Sequence, residues 1–226
     1  MAEYKLEWDK AGEHLYETGT DHCVLYVYDK EKNGYGAGVA WNGITGITES
    51  PEGAEANDFY ADNIKYASIR SAETFGGTIE AYSYPDEWMQ CDGSADIATG
   101  VYAGQQARKV FGMSYRTRIG SDTMSTDEAY KLHLVYGATA SPSERAYETI
   151  NDSPDAIQFS WEFDTTPVAF TGANASLKPT SIITVDSTKA DKEKLAQLEV
   201  MLYGTKDGED AKLPTPDEVM DLFKTI

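Results

Sequence analysis

The chain has 226 residues, 41% of them hydrophobic, and its 38 acidic and 19 basic side chains give a formal net charge of −19. A surface this acidic repels phosphates and argues against tight nucleic-acid binding, although acidity can also serve solubility alone. The length allows one large β domain or two small ones. No apolar run approaches the roughly 18 residues that span a bilayer, and the charged start MAEYKLEWDK does not resemble a signal peptide, so we expect assembly in the cytoplasm.

The first half of the chain predicts short strands around one long loop. Residues 1–20 are polar and are expected to form an N-terminal arm, and residues 22–28 (HCVLYVY) and 38–47 predict the first two strands. Residues 48–63 (TESPEGAEANDFYADN) are acidic and carry few apolar side chains. Loops longer than about 12 residues are usually functional or disordered, so we expect this one to be mobile alone and ordered by a neighbouring molecule.

The middle of the chain predicts strand after strand. Residues 75–84 predict a strand in which a Gly-Gly pair indicates a bulge. Residues 110–119 and 130–138 predict two strands of a hairpin, and residues 156–164 and 181–186 predict two more. Apolar side chains alternate with polar ones in residues 111–119 and 159–163, so each of these two strands is expected to have one apolar and one solvated face. The alternating apolar residues are Phe111, Met113, Tyr115, Ile119, Phe159, Trp161 and Phe163.

Residues 187–226 predict a C-terminal helical segment with two helices. Thr188 and Asp191 resemble a capping pair for the first helix, and Gly204 suits its C-terminal cap. The second helix is expected to start at Thr215, followed by a proline and an acid at its third position. The expected buried side chains are Leu195, Leu198, Leu202, Val219, Leu222 and Phe223.

A search for catalytic chemistry finds no known motif. The histidines His14, His22 and His133 lack metal-ligand spacing, and His133 is expected to face away from the leucines on either side of it. Cys23 and Cys91 are expected to be reduced, buried thiols. The best acid pair is Asp86 with Glu87 beside Trp88, which could suit a carbohydrate-binding or hydrolysing β-sandwich, but 38 acids make such proximity common by chance.

An ordered set of segments carries a family resemblance over nearly the whole chain. The segments are residues 60–66 (YADNIKY), 74–93 (TFGGTIEAYSYPDEWMQCDG), 104–122 (GQQARKVFGMSYRTRIGSD), 130–168 (beginning YKLHLVYGATA) and 186–222 (with LYGT and LPTPDEV). They resemble the major tail proteins, or tail tube proteins, of long-tailed bacteriophages, particularly the type common in phages of Gram-positive bacteria. No single one of these motifs is chemically diagnostic.

The resemblance implies a single tail tube domain over residues 1–226, with a mainly β, sandwich- or barrel-like fold and flanking α-helices. It implies head-to-tail hexameric rings that share an inner barrel and stack into a hollow tube in the virion tail. DNA would pass through the tube without specific binding. The other partners would be the tape measure, tail terminator and distal tail proteins. Such proteins are not enzymes, need no cofactor and do not bind a membrane.

The resemblance also implies candidate contacts between subunits. Residues 48–63 would reach other subunits, and the basic cluster around residues 108–118 would pair with a neighbour's acids, unless these charges are merely solvated and contribute about 0–1 kcal/mol each. The candidates are Glu49, Glu52, Glu55, Asp58, Phe59, Tyr60, Arg108, Arg116 and Arg118. We expect a negative bore that lets DNA slide, with outward acids for solubility as the alternative. Another ring or tube component of a phage-like particle or secretion tube is the second functional hypothesis.

Overall fold

The structure is a computed structural model that describes residues 6–123, 129–147, 149–150, 152, 155–206 and 208–224. Over these residues the chain is mainly β, as predicted, and its strands are joined in one large antiparallel sheet and three small two-stranded sheets. None of the described helices combines the length and the apolar character needed to cross a membrane.

The described strands are β1 (Tyr16–Asp29), β2 (Gly34–Tyr35), β3 (Val39–Ala40), β4 (Ile44–Glu49), β5 (Glu52–Gly53), β6 (Ala56–Ala61), β7 (Ile64–Arg70), β8 (Glu73–Thr74), β9 (Gly76–Ala81), β10 (Ala95–Ala98), β11 (Val101–Ala103), β12 (Phe111–Gly120), β13 (Ala129–Ala140), β14 (Phe159–Thr165) and β15 (Ile182–Asp186). The α-helices are α1 (Met89–Asp92), α2 (Lys192–Tyr203) and α3 (Pro216–Phe223), and short 3-10 turns cover Asp86–Trp88 and Gly172–Asn174.

The large sheet is strongly curled, so that one chain segment pairs with strands near both of its ends. Its order is β2-β1-β12-β13-β14-β9-β4, and β3 and β15 pair additionally with β1 and β13. Residues 39–49 pair with β1 through β3, where Ala40 faces Val24, and with β9 through β4, where Ile47 faces Ile79. The hairpin of β12 and β13 is confirmed, with Tyr115 opposite His133. The curled sheet therefore encloses a core on its inner face.

Aromatic side chains dominate the inner core. The ring of Trp88 lies 4.6 Å from Trp41, 4.9 Å from Phe111 and 5.4 Å from Trp161, measured between ring centroids. All four residues are at most 3% exposed. Tilted and edge-on aromatic contacts of this kind add to the free energy gained by burying the rings. The predicted alternation in β14 is confirmed, because Trp161 is buried here whereas Glu162 is exposed.

The C-terminal helices cover the outer face of the sheet. Leu132 and Leu134 of β13 pack there with Leu198 and Leu202 of α2, whereas His133 points to the opposite face, as predicted. The hydroxyl of Tyr26 donates a 2.7 Å hydrogen bond to the backbone carbonyl of Leu202. The expectation that β12 keeps one solvated face is wrong here, because Ser114 on its outer face is fully buried and its hydroxyl lies 3.3 Å from that of Tyr26.

The two long helices follow their sequence signals with one correction. The first helix is capped by Asp191, whose carboxylate accepts from the backbone N–H groups of Glu193 and Lys194, rather than by Thr188. Gly204 follows the last helical residue, as predicted. The second helix has the predicted capping box, in which the Thr215 hydroxyl and the Glu218 carboxylate each accept from the other residue's backbone N–H.

Strand boundaries differ from prediction where the apolar pattern is weak. Residues 16–20 belong to β1 and not to an arm, because they pair with the charged end of β12. Residues 38–47 do not form one strand but divide between β3 and β4. Gly76 and Gly77 pair regularly with β14, so the predicted bulge at this pair is wrong. The hairpin of β10 and β11 was not predicted.

Candidate assembly surface

A long two-stranded ribbon continues the pairing of β4 with β9 beyond the sheet. After the last sheet pair, Glu49 with Gly77, β5 pairs with β8 and then β6 pairs with β7. We call residues 50–75 the projecting ribbon. Every residue of β5, β6 and β8 is exposed, and in β7 only Ala67 is partly buried. The ribbon therefore stands clear of the body of the protein.

The tip of the projecting ribbon is a two-residue turn. Ala61 pairs with Ile64, and both intervening residues, Asp62 and Asn63, have positive φ angles, +51° and +63°. Tight hairpin turns of this mirror-image type need positive φ at both positions, which Asn and Asp tolerate better than other non-glycine residues. At about 3.3 Å per residue, a ribbon of this length extends roughly 40 Å from the sheet.

The ribbon corrects the prediction for residues 48–63. Thr48 and Glu49 end β4, and the remaining residues form the outgoing strand and tip of the ribbon. The expectation of a long loop without structure of its own is therefore wrong. The strands escaped prediction because no side of the ribbon meets a core, so the alternation that reveals a half-buried strand is weak. The Asp-Asn pair between FYA and IKY was the available turn signal.

The two faces of the ribbon differ in chemistry. On one face the Asp58 carboxylate lies 2.8 Å from the Lys65 ammonium group and accepts a 2.7 Å hydrogen bond from the Ser68 hydroxyl. On the other face Phe59 stands opposite Ala67, two residues from Ile69. Phe59 and Ile69 are 50% and 61% exposed. The ribbon thus presents apolar side chains that have no core to enter in the single chain.

A polar cluster ties the root of the ribbon to the sheet. The Tyr115 hydroxyl donates a 2.6 Å hydrogen bond to the Glu49 carboxylate, and the His133 ring stacks on the Tyr115 ring with 4.7 Å between centroids. His133 Nε2 lies 3.0 Å from the Thr117 hydroxyl. Burial lowers the pKa of His133, although nearby Glu49 and Glu17 oppose this shift. The predicted contact residue Glu49 therefore has partners within its own chain.

Two of the predicted basic contacts also have partners within the chain. The Nε atoms of Arg116 and Arg118 lie 2.9 and 2.8 Å from the two carboxylate oxygens of Asp21. Burial opposes ionisation of Asp21, but hydrogen bonds from both arginines and His22 outweigh it and lower its pKa to about 2. Arg108 lies elsewhere, against Gly93 at the end of α1. Contact of these arginines with a neighbouring subunit stays a prediction.

The structure argues against the carbohydrate-binding hypothesis, because the aromatic residue next to the acid pair is buried. Asp86 and Glu87 lie at the surface in a short 3-10 turn, but the neighbouring Trp88 is fully buried in the aromatic core. A sugar can stack only on an exposed ring face. Trp88 therefore cannot line a site with these acids, contrary to the sequence-based hypothesis.

The remaining cysteines and histidines are either buried or lie beside aspartates. Cys23 and Cys91 are free and buried, as predicted, and burial raises the pKa of each thiol to about 12. His14 and His22 lie beside aspartates, Asp122 and Asp21 respectively. Among the described residues, no group of three or more His, Cys, Asp or Glu side chains has the arrangement to hold a metal ion.

Comparison with known proteins adds no family to this description. A scan of the sequence against protein-family models gives no match. A search of curated proteins likewise gives no significant match. The functional argument therefore depends on the chain's own surfaces, above all on the projecting ribbon.

Proposed function

We propose that this chain is a structural virion protein of the tail tube type, which assembles into hexameric rings that stack into the tube through which DNA is ejected. The observation that carries the proposal is the projecting ribbon, with Phe59 and Ile69 exposed on one face. A two-stranded hairpin alone is at best marginally stable in water, and exposed apolar patches commonly mark interaction sites. A neighbouring copy would give this face the burial that the single chain does not.

The energetic gain from such burial is large for a small segment. Complete burial of an aromatic or aliphatic side chain contributes about 1.5–3 kcal/mol. The ribbon residues Ile64 and Tyr66 are also exposed, by 64% and 75%. Burial of even part of this surface would order the ribbon against another subunit, provided that the gain exceeds the cost of association.

The edges of the large sheet fit the same proposal. β15 pairs with β13 along one edge, and its other edge carries no strand within the part of the chain that the structure describes. Unpaired edges promote association, and a head-to-tail contact closes into a ring when its rotation allows. In the proposed tube, strands of each subunit would join an inner barrel shared around the hexamer, and residues 1–226 would act as one tail tube domain.

The charge of the chain suits a conduit for DNA. Acids outnumber bases two to one, 38 to 19. A bore lined by carboxylates would repel the phosphate backbone and let the DNA slide without specific binding. The proposed role requires neither catalysis nor a cofactor. Its location is the virion tail after assembly in the host cytoplasm, with tape measure, tail terminator and distal tail proteins as further partners.

Concentration-dependent assembly is the decisive test. We expect sedimentation velocity of the purified chain to show a shift from monomer to rings or rods, and negative-stain microscopy to show hollow particles with sixfold end views. A variant with Phe59→Ser and Ile69→Ser should remain monomeric at concentrations where the parent assembles. Val200→Ser with Met201→Ser, on the exposed side of α2, is the matched control and should assemble normally.

The outcomes separate the functional hypotheses. A chain that stays monomeric at every concentration and binds glycans would refute the tube and favour a carbohydrate-binding domain. Closed rings that never stack would favour another ring component of a phage-like particle or secretion tube. Assembly that survives loss of the apolar ribbon face would show that other surfaces hold the copies together.

A further inference from the structure

A second surface has a charge opposite to that of the ribbon. Between the end of β1 and the segment leading into β12 lies an open groove of about 510 Å³. We call it the basic groove. Its lining consists of Tyr28, Asp29, Lys30, Glu31, Ala107, Arg108, Lys109 and Val110. The groove is joined to the sheet by the backbone N–H of Tyr28, which donates a 2.8 Å hydrogen bond to the Val110 carbonyl.

The three cations of the basic groove form no ion pair with the residues that the structure describes. Among the described residues, no carboxylate lies within ion-pair distance of Lys30, Arg108 or Lys109, although the chain is rich in acids. Asp29 lines the groove but is occupied by its own turn, where it accepts a 2.9 Å hydrogen bond from the Glu31 N–H. Glu31, the second acid of the lining, is exposed and forms no ion pair with another described residue. The groove therefore has a net charge of one positive unit in a chain with twice as many acids as bases.

Arg108 shows the strongest sign of a missing partner. Its side chain is half-buried against Gly93, and its Nε atom is shielded from solvent and has no hydrogen-bond acceptor in the described part of the chain. The nearest acid in sequence to Gly93, Asp92, is bound to Arg145. A shielded polar group without a partner is costly, so a shift of this side chain that brings its Nε to an external acceptor would stabilise the arginine.

The projecting ribbon carries acids in the same unpaired state. Glu52, Glu55, Asp62 and Glu73 are exposed, and none of them lies in an ion pair with another described residue. Asp58 differs, because Lys65 neutralises it. The ribbon carries these five acids against Lys65 and Arg70, whereas the groove carries three cations against two acids. Their net charges are therefore opposite, and other described residues do not neutralise them.

The geometry points to the basic groove as the acceptor for the projecting ribbon of a second copy of this chain. This inference rests on the proposed self-assembly and names the surface that would receive the ribbon. The ladder of backbone pairs from β4 and β9 runs unbroken into the root of the ribbon, with the Ser50 N–H donating to the Gly76 carbonyl at 2.8 Å. The ribbon thus extends the sheet outward, and its acids are placed to meet another molecule.

Charge reversal and its rescue test the pairing. Lys30→Glu with Lys109→Glu changes two exposed groove residues and should raise the concentration needed for rods at least tenfold. Glu52→Lys with Glu55→Lys on the ribbon should do the same. Mixing the two variants one to one should restore assembly, because each ribbon then meets a groove of opposite charge on the other variant. Lys178→Glu with Lys192→Glu, two exposed and unpaired cations elsewhere, is the control and should leave assembly unchanged.

Cysteine cross-linking distinguishes a contact between copies from one within a chain. Glu55→Cys protein mixed with Lys109→Cys protein should form a disulfide-linked dimer under mild oxidation, and Glu55→Cys with Lys178→Cys should not. The native thiols of Cys23 and Cys91 are buried and should not compete. A chain carrying both Glu55→Cys and Lys109→Cys that links only internally, even when concentrated, would overturn the inference.

Failure of this inference is distinguishable from failure of the proposed function. Rods formed normally by the Lys30→Glu, Lys109→Glu variant would show that the ribbon docks elsewhere while the tube proposal stands. Folded reversal variants that stay apart when mixed would also count against the groove. A parent chain that never assembles would instead overturn the proposed function itself.

Discussion

The hydroxyl of Tyr115 donates a 2.6 Å hydrogen bond to the carboxylate of Glu49, and so joins the middle of β12 to the last residue of β4. Tyr115 is only 2% exposed, whereas the Glu49 side chain is 40% exposed. The bond therefore spans the boundary between the core and the root of the projecting ribbon. It links the rigid sheet to the surface proposed to bind a neighbouring subunit.

Tyr115→Phe tests the energy of this bond. The substitution keeps the ring and its stacking on His133 but removes the donor, and a hydrogen bond to a charged group typically contributes about 1.5–3 kcal/mol. Because Glu49 is partly solvated, we expect the free energy of unfolding to fall by about 1–2 kcal/mol in urea denaturation. Tyr82→Phe, at a 53% exposed tyrosine, is the control. Equal stability of Tyr115→Phe and the parent would mean that the bond contributes little.

Asp21→Asn should remove a pH-dependent part of the stability. Burial raises the pKa of Asp21, but the hydrogen bonds from Arg116 and Arg118 outweigh it and lower that pKa from 3.8 to about 2. The carboxylate therefore stabilises the fold fully above the unfolded pKa, and this contribution is lost as pH falls from about 4 towards 2.

The expected loss at neutral pH is about 2 kcal/mol or less, since the Asp21 side chain is partly solvated. Denaturation at pH 7 and pH 3 measures both effects, because the difference between parent and variant should shrink at the lower pH. Asp152→Asn, at an exposed acid, serves as the control. A constant difference at both pH values would contradict the assignment.

His133→Gln should flatten the stability profile between pH 7.5 and 5. Burial lowers the pKa of His133 below 6.5, so the unfolded chain takes up this proton more readily than the folded one. The contribution of neutral His133 to the free energy of unfolding is therefore fully present above its pKa in the unfolded chain. It is lost as pH falls through its lower pKa in the folded protein. Glu17, Glu49 and Lys131 act on the same ring, and all three side chains are kept in the variant. Parallel profiles for variant and parent would exclude His133 as the titrating group.

Gly77→Ala should destabilise the root of the ribbon by about 1–3 kcal/mol, as overpacking generally does. A Cβ at this position would lie 2.3 Å from the Thr48 carbonyl oxygen and 2.9 Å from the Phe163 ring. Gly104→Ala, where no atom lies within 4 Å of the added Cβ, is the matched control. Thermal unfolding of both variants measures the difference. A stable Gly77→Ala protein would show that strand β4 can shift away from β9 at little cost.

The sequence determined those elements whose signals lie close together along the chain. Thr215, Pro216 and Glu218 define the start of α3 within four residues, and a capping box forms whenever that backbone turns. The hairpin of β12 and β13 was likewise predictable, because Phe111, Met113 and Tyr115 alternate with Gly112 and Ser114 and a polar segment separates the two strand-forming runs. The buried stripe of α2 followed from its leucine spacing in the same way.

Contacts between residues that are far apart in the chain became visible only in the folded structure. Asp21 and Arg116 are 95 positions apart, so the ion pair that gives this predicted contact residue a partner within its own chain could not be read from local sequence. The projecting ribbon was missed for the opposite reason, since it meets no core and leaves no strong alternation. The arginines of the candidate surface have partners far away in the chain, and the projecting ribbon, as we propose, has its partner in another molecule. Local sequence patterns identify neither kind of partner.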